Sequence, residues 1–419
     1  MPALIQPQSL SFVHDKIAGE AFSASAIKAI VRDINKELYS SAQIASFLTA
    51  CAARPLSGDE ILALTKAMLQ AGPCLQWEQS PILDKHCVGG LPGNRTTPII
   101  VAVLAGLGLT IPKSSSRAIT SAAGTADVME VLAPVHLSIE KMREVVNKAF
   151  GCIVWGGAVG LSPVDDDIVR VAREIGLDGD GQLVASILSK KLAAGSTHIV
   201  IDIPIGPTAK IETHDAALVL KEMMLTTAKE LDVTVAVIIS DGCQPIGWGI
   251  GPALEARDVL AVLKKEDTAP PELRDKAMLL AGTLLELVGE TPEGKGQAMA
   301  YDCLTSGKAW RAFQAICEAQ GGLQEIPQAR YTKTVKASAG GTLLAIDNRQ
   351  LSRLAKIAGA PEDKAAGLEL FARLGAALKR GDPILSVHSN SRKRLAIAIA
   401  EIEDCNPMRI LKDMQKVGG

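Results

Sequence analysis

The chain has 419 residues, of which 47% are hydrophobic, 21% charged and 3% aromatic. So much apolar material excludes disorder, and at ~150 residues per domain it suggests about two or three domains. The 44 Lys+Arg against 46 Asp+Glu leave a formal net charge of -2. That is not the basic excess of a domain dedicated to nucleic acid, and so few aromatics argue against a base-stacking platform.

The first twenty residues have neither a basic n-region nor an apolar h-region, so no signal peptide is read there. Residues 1 to about 75 read as helices only. Ile27, Ile30, Val31 and Ile34 recur at helical spacing, and a second run holds Ile44, Phe47 and Leu48. Ser57 and Glu60 form a capping-box pattern before Ile61, Leu62 and Leu64. From about residue 80 the pattern changes to short apolar runs (81–88, 151–155, 197–204 and 233–240) between helical segments (98–109, 138–150, 214–231, 253–264 and 271–288). This alternation implies a largely parallel sheet covered by helices. Residues 165–175 and 182–194 form two consecutive helices without a strand, a pair that can rejoin the N-terminal layer and leave a cleft against the sheet. The last ninety residues alternate over 331–346 and again over 383–388, as in a smaller α+β unit.

The expected architecture is therefore α/β plus all-α. A discontinuous helical domain spans 1–75 and 160–194, an α/β domain 76–159 and 195–330, and a C-terminal α+β subdomain 331–419. The longest uncharged apolar stretch, 98–112, is interrupted by Gly106 and Gly108 and falls short of the ~20 residues of a membrane span. Eight scattered cysteines without a Cys-x-x-Cys pair, and six dispersed histidines, point to a reduced, cytoplasmic chain without a metal.

Three segments carry chemistry. Residues 84–98 run from an apolar strand into a Gly-rich loop (Gly89, Gly90, Gly93) and then open a helix, with Thr97 as N-cap and Pro98 at the first helical position. Glycines let backbone N–H groups approach an anion, a helix N-terminus attracts negative charge, and Lys85 adds a cation. Those additions favour an anion site over a plain strand–helix turn. Residues 113–130 hold Ser114, Ser115, Ser116, Thr120, Ser121, Gly124 and Thr125 with the cations Lys113 and Arg117. This is either a loop surrounding a phosphate or a polar loop with capping by Thr125 and Asp127. In the helical pair, Arg173 ends one helix while Ser186 and Lys190 share a face of the next. Guanidinium, hydroxyl and ammonium together suit a planar polar ring, although a solvated face is the plainer account. Asp165, Asp166 and Asp167 read as acids complementing a helix start rather than as metal ligands. His136, His198, His214 and His388 are assigned structural places.

Lys85-His86-x-x-Gly89-Gly90, Ser115-x-Arg117 with Gly124-Thr125-x-Asp127-x-x-Glu130, and Arg173 with Ser186-x-x-x-Lys190-Lys191 together resemble the thymidine/pyrimidine-nucleoside phosphorylase family. They are similar to its branch of second-type thymidine phosphorylases and AMP phosphorylases. The resemblance runs from about residue 12 to the C-terminus. Branch members usually carry a further N-terminal domain, which this chain is expected to lack. The resemblance implies a pentosyltransferase, a cleft between a helical and an α/β domain that closes by domain movement, a homodimer, and no cofactor beyond inorganic phosphate as co-substrate. It implies reversible attack of phosphate on C1′ of a nucleoside. Carried over, Lys85, Cys87, Thr97, Ser115 and Thr125 hold phosphate. Arg173, Ser186 and Lys190 hold the base, and His86, Arg173 and Lys190 are catalytic. The expected partners are a nucleoside or nucleotide and phosphate, with neither nucleic acid nor membrane.

Two departures stand out. Cys87 occupies a position where the family often has Ser, and a thiol is a weak donor. Arg170 stands where pyrimidine-specific members carry an aromatic residue, and with Arg95 it is a candidate for a 5′-phosphate. Thymidine phosphorolysis is thus weighed against phosphorolysis of AMP or another nucleoside 5′-monophosphate to ribose 1,5-bisphosphate. A magnesium-dependent anthranilate-type phosphoribosyltransferase, with Asp165–Asp167 as its only candidate metal ligands, is the alternative of another class. A non-enzymatic scaffold is opposed by intact Lys85, Arg173 and Lys190.

Overall fold

The computed structural model describes residues 7–118, 121–177 and 179–412; Ile119 and Thr120 of the Ser/Thr-rich segment lie outside these. Four helices come first: α1 (Leu10–Ala18), α2 (Ala24–Asn35), α3 (Ser41–Ala53) and α4 (Gly58–Gln70). Ser23, Ser40 and Ser57 cap the last three, and the boxes Ser40/Gln43 and Ser57/Glu60 both close, satisfying backbone N–H groups that a helix start leaves open. Glu60 also holds the buried Lys16 ammonium at 2.7 Å.

The middle of the chain continues with β1 (Leu83–Cys87), α5 (Thr96–Gly106), β2 (Ile111–Ser115), α6 (Thr125–Leu132), α7 (Ile139–Ala149), β3 (Gly151–Trp155) and the short α8 (Gly156–Val159). Then come α9 (Pro163–Ile175), α10 (Asp180–Ala193), β4 (His198–Ile205), α11 (His214–Lys229), β5 (Thr234–Asp241), β6 (Gly249–Ile250) and α12–α15 (Pro252–Lys264, Pro271–Leu287, Gly296–Thr305 and Lys308–Gln320). Strands β1, β4 and β5 pair in parallel, as do β2 and β3. The amide of Leu83 donates to the Thr110 carbonyl at 2.9 Å and joins the two ladders. Because β1, β2 and β3 all run the same way, their C-terminal ends emerge along one edge, where parallel α/β sheets bind ligands.

Strand β4 is buried on both faces, as a central parallel strand requires. Ile199, Ile201 and Ile203 face the helical layer, and Val200 belongs to the apolar cluster on the other face, where α13 (Pro271–Leu287) packs on β4. Helices α9 and α10 pack on α3 and α4, so a segment from the middle of the chain completes the N-terminal helical layer. The C-terminal domain contains β7 (Tyr331–Lys336), β8 (Gly341–Ile346), α16 (Asn348–Ala358), β9 (Gly367–Leu370), β10 (Ala377–Leu378), β11 (Pro383–Ser389), α17 (Arg392–Cys405) and β12 (Met408–Lys412). Its four-stranded sheet, β6-β9-β11-β7, borrows β6 from the preceding domain, and β10-β8-β12 form the other.

Three local expectations are corrected. The alternating run 331–346 is two strands in different sheets, split at Gly340-Gly341; Gly341, at φ 151, lies so close to the β12 backbone that a Cβ would overlap the Leu411 carbonyl. Residues 111–115 form a strand that takes in the first three residues of the expected 113–130 loop, because pairing with β3 and burial override its polar Lys-Ser-Ser ending. Helix α5 starts at Thr96, with Arg95 rather than Thr97 at its cap position and no side-chain cap bond. Among the described residues no helix is long and apolar enough to cross a membrane.

Helices α13 and α14, behind the sheet, meet backbone to backbone at Gly282 and Gly296. A Cβ on Gly282 would overlap the Gln297 amide nitrogen. Gly282→Ala is therefore expected to destabilise the protein by about 1–3 kcal/mol, read as a lower urea midpoint at unchanged slope.

Candidate active site

A cleft of about 920 Å³ opens where the C-terminal ends of β1, β2 and β3 face α9 and α10. The residues lining it include Lys85, His86, Cys87, Thr97, Ser115, Thr125, Arg170, Arg173, Ser186 and Lys190. All the residues assigned from sequence to phosphate, base, catalysis or a 5′-phosphate thus converge on one space, with one exception. Arg95 is fully buried outside the cleft, its Nη1 2.9 Å from Asp258 and its Nη2 3.5 Å from Glu255. Arg95 therefore does not face a 5′-phosphate in the cleft: its guanidinium is buried beside Asp258 and Glu255 instead.

On the sheet side, Lys85 is buried in the middle of β1. Its ammonium donates to Thr96 Oγ1 at 2.8 Å and to Thr97 Oγ1 at 3.5 Å. Burial pulls its pKa below the ordinary lysine value, with Cys87 and Asp202 opposing. Residues at the starts of α5 and α6 (Thr97, Gly124 and Thr125) line the same wall, so two helix N-termini open on the cleft. Asp127 holds the start of α6 by accepting the Gly124 and Ala118 amides at 2.9 and 2.6 Å. Ser115 Oγ, at the end of β2, is buried without a hydrogen-bond partner, an unusual condition for a hydroxyl outside a binding site. Cys87 is pushed up to about 12 by burial and then by Asp202, so it remains a thiol. It points to Asp202 at 3.5 Å.

The opposite wall is helical. Arg173 lies in the last turn of α9, and Ser186, Lys190 and Lys191 project from α10. Lys190 Nζ is 2.5 Å from Asp165, whose side chain is fully buried. That ion pair uses the carboxylate that a metal reading needs. Arg170 pairs with Asp167 at 3.1 Å and Glu174 at 3.7 Å at an exposed position on the rim.

Asp84, Lys113 and Lys191 form a group that no local pattern in the sequence joins. Asp84, wholly buried beneath the floor, bridges Lys113 and Lys191 at 3.1 Å each, and both lysines line the cleft. Burial, countered by Asp84 and reinforced by Lys113, brings Lys191 down to about 7. The signal available was Asp84 itself, a carboxylate in a strand that the apolar run 81–83 marks as buried, where it demands a cationic partner. His86 is held well below the imidazole range by burial and then by Lys191, Lys113, Lys190 and Lys85, and so is neutral. His136, assigned a structural place, packs tilted against Trp155 with ring centroids 4.7 Å apart and meets the Arg117 guanidinium at 2.9 Å. Among the described residues, nine Lys/Arg and two Asp/Glu line the cleft, which makes it a site for an anion.

Comparison with known proteins identifies the family of each domain. Residues 10–72 match the helical bundle domain of a glycosyl transferase family, residues 79–310 its a/b domain, and residues 342–409 a pyrimidine nucleoside phosphorylase C-terminal domain. A protein named "Putative thymidine phosphorylase" from Legionella pneumophila (strain Paris) is 52% identical over 96% of this chain and 78% of its own length. One of the same name from Tolumonas auensis is 51% identical over 95% and 79%. Anthranilate phosphoribosyltransferase from Thermus thermophilus superposes with a TM-score of 0.62 at 21% identity, covering 74% of this chain and 98% of that one; that likeness establishes the fold. Matched in its helical, α/β and C-terminal domains, the chain belongs to the thymidine/pyrimidine-nucleoside phosphorylase branch of the glycosyl transferase family and is a pentosyltransferase.

Proposed function

We propose that the chain catalyses reversible phosphorolysis of the N-glycosidic bond of a nucleoside, in the reference case thymidine plus phosphate to thymine plus 2-deoxyribose 1-phosphate. The observation that carries this reading is the unpartnered Ser115 hydroxyl, set among Lys85, Lys113 and two helix starts, directly across the cleft from Arg173, Ser186 and Lys190. One wall suits a phosphate and the other a polar ring.

Cleavage of the C–N bond builds positive character on the sugar and negative character on the leaving base. Phosphate on the sheet side is both nucleophile and counter-charge. Arg173 and Lys190 stabilise the base as its charge grows, with Lys190 aimed by Asp165. His86, being neutral, donates a hydrogen bond rather than carrying a full positive charge. The cleft walls exclude water and favour phosphate as the acceptor. Cys87, turned to Asp202, leaves its share of phosphate binding to the loop backbone. Asp165, engaged by Lys190, does not support the magnesium-dependent alternative.

Lys190→Ala and Arg173→Ala are each expected to lower kcat/KM by roughly 10²-fold or more with the fold intact, the loss of one preorganised donor being worth ~2.7–4 kcal/mol. Thymine release from thymidine, with and without phosphate, checks both the reaction and the variants. An unchanged rate removes that residue from the site.

The pH dependence has a defined sign. With Lys191 near 7, the cleft loses one positive charge as pH rises through that value. kcat/KM for phosphate is then expected to fall on the alkaline side in the parent enzyme. In Lys191→Gln that limb should disappear, because Lys113 alone remains on Asp84. Profiles from pH 6 to 9 distinguish the two.

One observation favours a nucleotide as second reading. Lys210 and Lys356 line the same cleft as Arg173, and Arg173 lowers the Lys356 pKa after burial has done so. If these cations receive a 5′-phosphate, Lys356→Ala should weaken AMP relative to adenosine by roughly 10–100-fold, as for a charge-assisted contact of ~1.5–3 kcal/mol. An unchanged AMP/adenosine ratio rejects it.

A further inference from the structure

Arg95, displaced from the substrate cleft, sits at the junction of three structural parts. It immediately precedes Thr96 and Thr97, which accept the Lys85 ammonium. Its Nη1 donates to the Gly249 carbonyl and, at 2.9 Å, to Asp258 Oδ2. The same carboxylate oxygen accepts the Trp248 and Gly249 amides, each at 2.8 Å. Glu255, 3.5 Å from Nη2, accepts the Gly251 amide at 3.2 Å. The segment 246–251 is thereby fixed around one guanidinium, and its Ile246 amide donates to the Leu91 carbonyl of the phosphate loop at 3.2 Å. Gly247 is positive in φ (79°) and a Cβ there would lie 2.6 Å from Asp258 Oδ2, so the segment wraps the ion pair closely.

The segment also belongs to the C-terminal domain. Its Gly249 and Ile250 form β6, paired antiparallel with β9. Arg373 from that domain donates to the Pro245 and Gly247 carbonyls at 2.7 and 2.6 Å and stacks on Trp248 with its guanidinium 4.1 Å from the ring.

We propose that the buried Arg95–Asp258–Glu255 cluster is a positioning device for the phosphate loop, through which the C-terminal domain helps set the affinity for phosphate. Arg95 acts on the loop and touches no substrate. A buried cation between two carboxylates gives less net stability than an apolar replacement of the same shape, so its use here fits a demand for fixed geometry. Its Nη1 holds Gly249 and Asp258 while its Nη2 lies beside Glu255, a planar span that the single ammonium of a lysine does not cover. The inference rests on the phosphorolysis reading.

The test is calorimetric binding of inorganic phosphate to the full chain, with separate KM values for phosphate and thymidine, in the parent, Arg95→Met, Arg95→Lys, Asp258→Asn and Arg373→Met. Arg95→Met is expected to weaken phosphate by about 10-fold or more, since small misplacement of a binding group is costly, while the thymidine KM stays within about twofold. Arg95→Lys should recover part of the loss, and Asp258→Asn and Arg373→Met should shift phosphate in the same direction. Folded variants that bind phosphate within twofold of the parent, or whose thymidine KM rises in step, overturn the proposal. If Arg95→Met does not fold, the other three decide by the same criterion. A parent chain that takes up no phosphate refutes the phosphorolysis reading, and this inference with it.

Discussion

A cation can be kept in a partly dry cleft only if something compensates its lost hydration, and in this protein the compensation comes from carboxylates placed behind the cleft wall. Asp84 stands behind Lys113 and Lys191, Asp165 behind Lys190, and Asp127 with Glu130 behind Arg117. Each acid is buried or half-buried away from the ligand space, and the ammonium or guanidinium groups reach forward from it. The net effect is a fixed array of positive charge that needs no reorganisation when an anion arrives. The parallel strands supply the platform. Asp84 is itself a strand residue, and the side chains that meet the ligand emerge from the ends of β1 and β2.

The same arrangement sets the protonation states. Crowding several cations round one buried carboxylate lowers the proton affinity of the groups nearest to them. Lys191 falls to about 7 and His86 stays neutral for that reason, on top of burial. Cys87 is driven the other way by burial beside Asp202, which leaves it inert as a nucleophile. The two walls are therefore distinct in character. The sheet side is a rigid set of donors and helix starts. The helical side carries longer Arg and Lys side chains on α9 and α10, which pack in one apolar cluster with β4.

Much of the fold was legible because local signals agreed with the tertiary arrangement. Ser57 and Glu60 announced α4, and the apolar runs before residues 88, 155, 204 and 240 announced β1, β3, β4 and β5. Strand β2 was not legible, since Lys113-Ser114-Ser115 has no apolar alternation; its strand character comes from pairing with β3. The C-terminal sheets were blurred for a similar reason. Only the contact between Gly341 and the β12 backbone shows where one strand ends and another sheet begins.

Sequence alone determined the chemical inventory. Glycines at 89, 90 and 93 permit a tight loop, Ser186 and Lys190 share a helix face by spacing, and Lys85 follows an apolar strand into that loop. These depend on neighbours within one or two turns of chain, and so survive without a structure. Tertiary structure decided which cations face the ligand and which are spent inside. Arg95 looked like a loop cation and proved to be a buried strut, because its partner Asp258 lies 163 residues away. Lys113 and Lys191 stand in separate motifs of the sequence and proved to share the floor, because Asp84 brings them together from two other elements. A charge's role is fixed by its solvent access and its through-space partners, and neither is written in local sequence.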